Sequence, residues 1–138
     1  MKKILCCIML LCICGLLCSC TACRKEQTST KKLRNLEYTV LGSEEVPEEL
    51  LKIIDERKEK EFKLTYSDGE FLYIVVGYGE QATGGYSIRV NEAYLTSNAL
   101  YADTSLIGPE KGAEVQKAVS YPFIVIKTEY IDMRVVFD

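Results

Sequence analysis

Residues 61–76 read EFKLTYSDGEFLYIVV, and this stretch decides the fold class. Phe62, Leu64 and Tyr66 alternate with Glu61, Lys63 and Thr65, the two-residue period of a strand that buries one face. Ser67-Asp68-Gly69-Glu70 follows, and its Asp-Gly pair is the signal of a tight hairpin turn. Phe71–Val76 (FLYIVV) is apolar at every position, which marks a central strand covered on both faces. The segment therefore predicts an antiparallel hairpin at the heart of a sheet.

Working outward, the same grammar recurs. Downstream, Tyr86, Ile88 and Val90 alternate with Ser87, Arg89 and Asn91, an antiparallel half-buried pattern. Ala99–Ile107 reads as a further strand, stopped by Gly108-Pro109. Residues 121–127 (YPFIVIK) and 133–137 (MRVVF) complete the set, with Pro122 suited to a strand start or an edge. Upstream, residues 36–41 (LEYTVL) carry β-formers and predict a first strand.

The one clear helix pattern follows that first strand. Pro47 suits a first turn, and Glu44, Glu45, Glu48 and Glu49 lie near the positive end of the helix dipole. Leu50, Leu51, Ile53 and Ile54 fill one face, and Arg57, Lys58 and Lys60 crowd the final turn. The fold class expected is α+β, mainly β: an antiparallel β-sandwich or rolled sheet with one N-terminal helix.

The cysteines say where the chain goes. All seven (Cys6, Cys7, Cys12, Cys14, Cys18, Cys20 and Cys23) lie in the first 23 residues, so a disulfide framework or thiolate metal site in the folded region is excluded. Lys2 and Lys3 precede an uncharged apolar run, Ile4–Leu17, and short residues follow at Cys18-Ser19: the order of an export signal. The run is shorter than the roughly 20 residues a spanning helix needs. Leu17-Cys18-Ser19-Cys20 resembles the bacterial lipobox, in which the last cysteine receives a diacylglycerol. Cys23 is the alternative acceptor, but Cys20 then stands where an aliphatic residue belongs. Two or three acyl chains on one cysteine hold a protein firmly to a membrane where one would not.

This gives three expected regions: a lipoprotein signal peptide at 1–19, a flexible basic tether at 20–35 and a β-rich domain at 36–138. The expected location is the cell membrane or envelope, lipid-anchored on the extracytoplasmic face. The tether is polar and holds Arg24, Lys25, Lys31, Lys32 and Arg34, charges suited either to solvent or to anionic headgroups. The whole chain has a net charge of −3, and the signal takes two lysines with it. An acidic domain argues against nucleic acid as a partner.

Catalysis finds few instruments here. Histidine is absent and the domain has no cysteine, which removes Ser-His-Asp, Cys-His and histidine-based metal sites. Ser29-Thr30-Lys31-Lys32 spells S-x-x-K, but in a tether nothing would hold the pair in register. Gly77-x-Gly79-x-x-Ala82 matches a dinucleotide-binding spacing, yet a strand follows it where a helix is required. No catalytic residue, metal site or cofactor is expected, and the protein is read as not an enzyme.

The glycines of Gly77–Tyr86 admit two accounts: wide-turn geometry, or close approach of a partner's backbone. Tyrosine is the dominant aromatic, nine against no tryptophan, and its ring with a polar tip serves packing and interfaces alike. Tyr78, Tyr86 and Tyr121 flank Gly- or Pro-containing connections. With Thr83, Gly84 and Gly85 they form the expected partner-binding set.

Thr83-Gly84-Gly85-Tyr86-Ser87-Ile88, then Leu106-Ile107-Gly108-Pro109, then residues 120–127 (SYPFIVIK) together resemble the C-terminal domain of the protease complex subunit PrcB family. The resemblance covers roughly Phe62 to Phe137. It implies a bacterial surface lipoprotein that associates with a protease and supports its stability or maturation, and it brings no catalytic residues. A protein partner, a protease, and a membrane contact through the lipid are its implied associations. The alternative is a protease inhibitor, since small sandwich inhibitors resembling chagasin also present a Thr-Gly-aromatic loop at one end.

Overall fold

A computed structural model of the chain describes residues 29–138. The signal peptide, Cys20, Cys23 and most of the expected tether lie outside the described residues. Among the described residues there are eight strands: β1 (Arg34–Asn35), β2 (Thr39–Val40), β3 (Glu61–Ser67), β4 (Phe71–Tyr78), β5 (Ser87–Leu95), β6 (Ala99–Ile107), β7 (Phe123–Glu129) and β8 (Arg134–Phe137). One helix, α1 (Glu48–Arg57), joins β2 to β3 after a 3-10 turn at Ser43–Glu45. They form two four-stranded sheets, ordered β1-β5-β6-β8 and β2-β7-β4-β3.

The apolar run of β4 explains the layering. Leu72, Ile74 and Val76 point between the sheets, where they meet Leu95, Leu100 and Ala102 of the other sheet and Ile124 and Ile126 of β7. Tyr73 and Val75 point the opposite way, onto Leu50 and Ile54 of α1. The protein is thus a sandwich with a helix as a third layer, and β4 and β7 are covered on both sides. Ten residues make a marginal helix in isolation. Packing holds it: Leu50 and Ile54 are buried to 0 % and 2 % exposure, and Tyr66 Oη on β3 donates to Glu49 at 2.9 Å.

The hairpin forms as its sequence predicts. β3 and β4 pair from Glu61↔Tyr78 to Ser67↔Leu72. In the turn, Asp68 Oδ1 accepts the N–H groups of Phe71 (2.8 Å) and Glu70 (3.0 Å). Those two bonds, Phe71's first, hold the Asp68 carboxyl below its ordinary value of 3.8.

Three expectations are corrected. The single strand expected at 36–41 is broken, because the chain crosses there from one sheet to the other. Buried Leu36 makes the crossing, β1 pairs with β5 and β2 pairs with β7. The stretch expected to be a flexible tether to residue 35 is already part of the sheet at its end. Leu33 N–H donates to the Leu95 carbonyl at 2.8 Å, and Lys32 lies over the Tyr94 ring. The sandwich is also not wholly antiparallel: β8 runs parallel to β6, from Ala99↔Arg134 to Ala102↔Phe137. The short link after β7 crosses between the sheets and delivers β8 to that edge in the same direction as β6.

Candidate functional site

The loop from Gly77 to Tyr86 leaves the end of β4 and is fastened on two sides. Toward the helix, Glu80 N–H donates to the Glu59 carbonyl at 3.1 Å. Toward the segment before β7, Gln81 and Ser120 exchange backbone bonds of 2.8 and 3.0 Å, and Gly84 N–H donates to the Gln116 carbonyl at 2.9 Å. Ser120 Oγ adds a bond to the Thr83 carbonyl at 2.7 Å.

The first half of that same connection, just after β6, closes against the loop as well. A Cβ at Gly85 would lie 2.7 Å from Val115 Cγ1 and 3.0 Å from Pro109 Cβ, and one at Gly108 would lie 3.5 Å from the Tyr86 ring. Residues 77–86 and the single connection 108–122 therefore converge at one end of the sandwich. Strand order brings this about, since β4 and β7 are neighbours in one sheet and β5 and β6 in the other.

Each expected partner-binding residue can now be placed. Tyr86 is half-buried beside Gly108, and Thr83 and Gly84 sit on the bridge to residues 116–120. Thr83 Oγ1 donates to the Gly84 carbonyl at 3.0 Å. Tyr121 Oη donates to Glu80 Oε1 at 3.2 Å, while Lys58 Nζ lies 4.9 Å from its ring centre. Partial desolvation, then the bond to the Glu80 carboxylate, push the Tyr121 phenol above its ordinary value. The bond to Asp55, at 2.8 Å, raises the Lys58 ammonium and keeps it charged.

Two residues of that set have structural duties. Tyr78 turns inward: its hydroxyl shares a 2.6 Å hydrogen bond with Thr104 Oγ1 across the two sheets, and its ring packs on the sandwich core. Gly85 has φ +88°, a left-handed backbone with no room for a side chain. Gly84 has neither constraint, since a Cβ there meets Gln116 at an ordinary 3.6 Å.

Val119 was missed by sequence reasoning. It is 54 % exposed, beside Ser120 in the same loop cluster. A lone valine between Lys117-Ala118 and Ser120, in a stretch without strand periodicity, was the available signal.

Two concavities lie away from this cluster or only at its margin. A cleft of about 550 Å³ is lined by Arg34, Tyr38, Phe71, Lys127 and Ile131 among others, and none of the loop-cluster residues borders it. A second, of about 440 Å³, is lined by Glu61, Lys63, Val76, Tyr78, Thr104 and Asp138 among others. Among the described residues no three carboxylates are grouped to hold a metal ion.

Fold and site together define a helix-backed β-sandwich that presents a fastened, tyrosine-bearing loop cluster at one end. Residues 72–129 match the family model described as PrcB C-terminal. The match runs from β4 through β7, so it contains the whole loop cluster and leaves out α1, β3 and β8. Comparisons with curated proteins and with solved structures returned no match.

Proposed function

We propose that this protein is a lipid-anchored, non-catalytic envelope protein whose loop end docks a protease and stabilises it. One observation carries the reading: two segments distant in sequence, 77–86 and 108–122, are fastened into a single surface that bears Tyr86, Tyr121, Thr83, Gly84 and Val119. A surface held by backbone bonds binds with little ordering cost, and tyrosine and exposed valine suit the centre of a protein interface. The family supports the choice of a protease as the partner. Anchoring rests on the Leu17–Cys20 motif.

The test is recovery of a protease from an envelope extract by the full-length protein, compared with Gly84→Arg and Tyr121→Ala variants. Gly84 tolerates a side chain, so Gly84→Arg should remain folded and lose the protease. Equal recovery by wild type and both variants would sink the loop-docking reading. Titration into the recovered protease should extend its active lifetime. A stoichiometric loss of activity would instead assign inhibition.

A further inference from the structure

The strands give the domain two distinct ends. β5 and β7 leave the loop cluster at Ser87 and Phe123, and β4 and β6 return to it at Tyr78 and Ile107. The opposite end therefore holds the turns at residues 68–70 and 96–98 and the link at 130–133. Leu95 of one sheet and Phe71 and Glu129 of the other line a single cleft, so both sheets finish there together.

The chain enters the domain at this far end. Ser29 N–H donates to Asn98 Oδ1 at 2.8 Å, and Leu33 N–H donates to the Leu95 carbonyl. Cys20 and Ser29 stand nine residues apart, a reach of roughly 30 Å at full extension. The nine residues of β6 separate the two ends of the domain by about as much, roughly 25–30 Å. With Cys20 in the lipid, laying the loop cluster on the membrane would need the intervening chain drawn out to its full length. Setting the far end on the membrane needs no extension, and an unstretched chain has many more conformations open to it.

One corner of this end is basic. Lys31, Lys32 and Arg34 are exposed, and Leu33 among them is 62 % exposed. Among the described residues, none of these three cations is in an ion pair. Glu92 borders a hollow with Lys32, and Glu37 and Glu129 border the larger cleft with Arg34, all beyond ion-pairing distance. Asp68, Glu70 and Asp132 also lie at this end, on the hairpin turn and on the link to β8. β3 and β8 are the edges opposite β2 and β1, so those carboxylates belong to the side away from the basic corner.

We propose that the Lys31–Arg34 corner rests on the membrane, its three cations against anionic lipid headgroups and Leu33 at the acyl boundary, so that the loop cluster points away from the bilayer. The inference rests on the lipid anchor of the proposed function, and it deepens that reading: the protein partner is met on the aqueous side, roughly 25–30 Å above the lipid. Three cations beside an anionic surface favour contact on the order of a hundredfold at low salt, and added salt screens the attraction.

The test uses the mature acylated protein with Cys23→Ser, so that a single introduced thiol carries an environment-sensitive fluorophore. Leu33→Cys, Glu70→Cys and Val119→Cys place it at the basic corner, the acidic side and the loop end. Each is reconstituted in vesicles of phosphatidylcholine, alone or mixed with phosphatidylglycerol. On the mixed vesicles the Leu33 probe should shift to the blue and its quenching by acrylamide should fall about twofold or more. The Glu70 and Val119 probes should read alike on both. Replacing Lys31, Lys32 and Arg34 together by Glu should abolish the Leu33 response. High salt should do the same with the protein unaltered, which covers the case of a disturbed sheet edge.

Flotation with phosphatidylcholine vesicles reports the anchor by itself. Protein that fails to float sinks the anchor reading, while its Leu33 probe on phosphatidylglycerol still decides the corner. An equal Leu33 signal on both vesicle types overturns the inference, and so does shielding of the Val119 or Glu70 probe in place of Leu33.

Discussion

Gly84 and Gly85 are neighbours in sequence and opposites in function. Gly85 combines φ +88° with a blocked Cβ position, and Gly84 has neither restriction. Gly85→Ala should cost about 1–3 kcal/mol, the usual range for a non-glycine residue forced into such a backbone. Gly84→Ala should leave the melting temperature nearly unchanged, and thermal unfolding of the two variants side by side checks the contrast. Asp68 offers a pH test at the same scale. Its folded-state pKa is lowered by the N–H groups of Phe71 and Glu70, so its contribution is fully present above the unfolded value of 3.8. It is lost as pH falls through the folded value. Asp68→Ala should therefore lower the melting temperature at neutral pH, and the gap to wild type should close in strong acid.

At the scale of the element, α1 depends on what lies beneath it. Its apolar stripe covers Tyr73, Val75 and Val125, which would otherwise leave the outer faces of β4 and β7 bare. Ile54→Ala should cost about 2–5 kcal/mol, the range for removing a large buried aliphatic side chain. Denaturant unfolding measures it, and a loss below 1 kcal/mol would mean that the helix is peripheral. The helix also reaches the loop end, because Lys58 just past its terminus sits over Tyr121 and Glu59 fastens Glu80. A partner bound at Tyr121, as proposed, would thereby be coupled to the helix packed on β4 and β7.

For the whole molecule the proposed lipid anchor makes distance from the membrane the quantity to test. With Cys20 acylated, the chain from Thr21 to Leu33 is the whole distance between lipid and sheet, because Leu33 is already bonded to Leu95. The proposed anchor predicts that Cys20→Ala moves the protein from the membrane to the soluble fraction on cell fractionation, and that Cys23→Ala leaves it in place. The opposite pattern would assign the lipid to Cys23. No helix among the described residues is long and apolar enough to cross a membrane.

The sequence by itself determined the longer strands, the helix and the hairpin turn, because those follow from local periodicity. Phe62, Leu64 and Tyr66 alternate, FLYIVV does not, and Asp68-Gly69 bends the chain between them. It also exposed the segment Thr83–Tyr86 as distinctive. Only the tertiary structure decided which strand lies beside which, since backbone hydrogen-bonding groups are alike at every position and carry no address. Hence the break at Leu36 and the parallel pairing of β8 were not legible. The site was legible by half for the same reason. Tyr86 and Tyr121 stand at the loop end, whereas Tyr78 turns inward to Thr104, a residue 26 positions away that only sheet packing brings within reach.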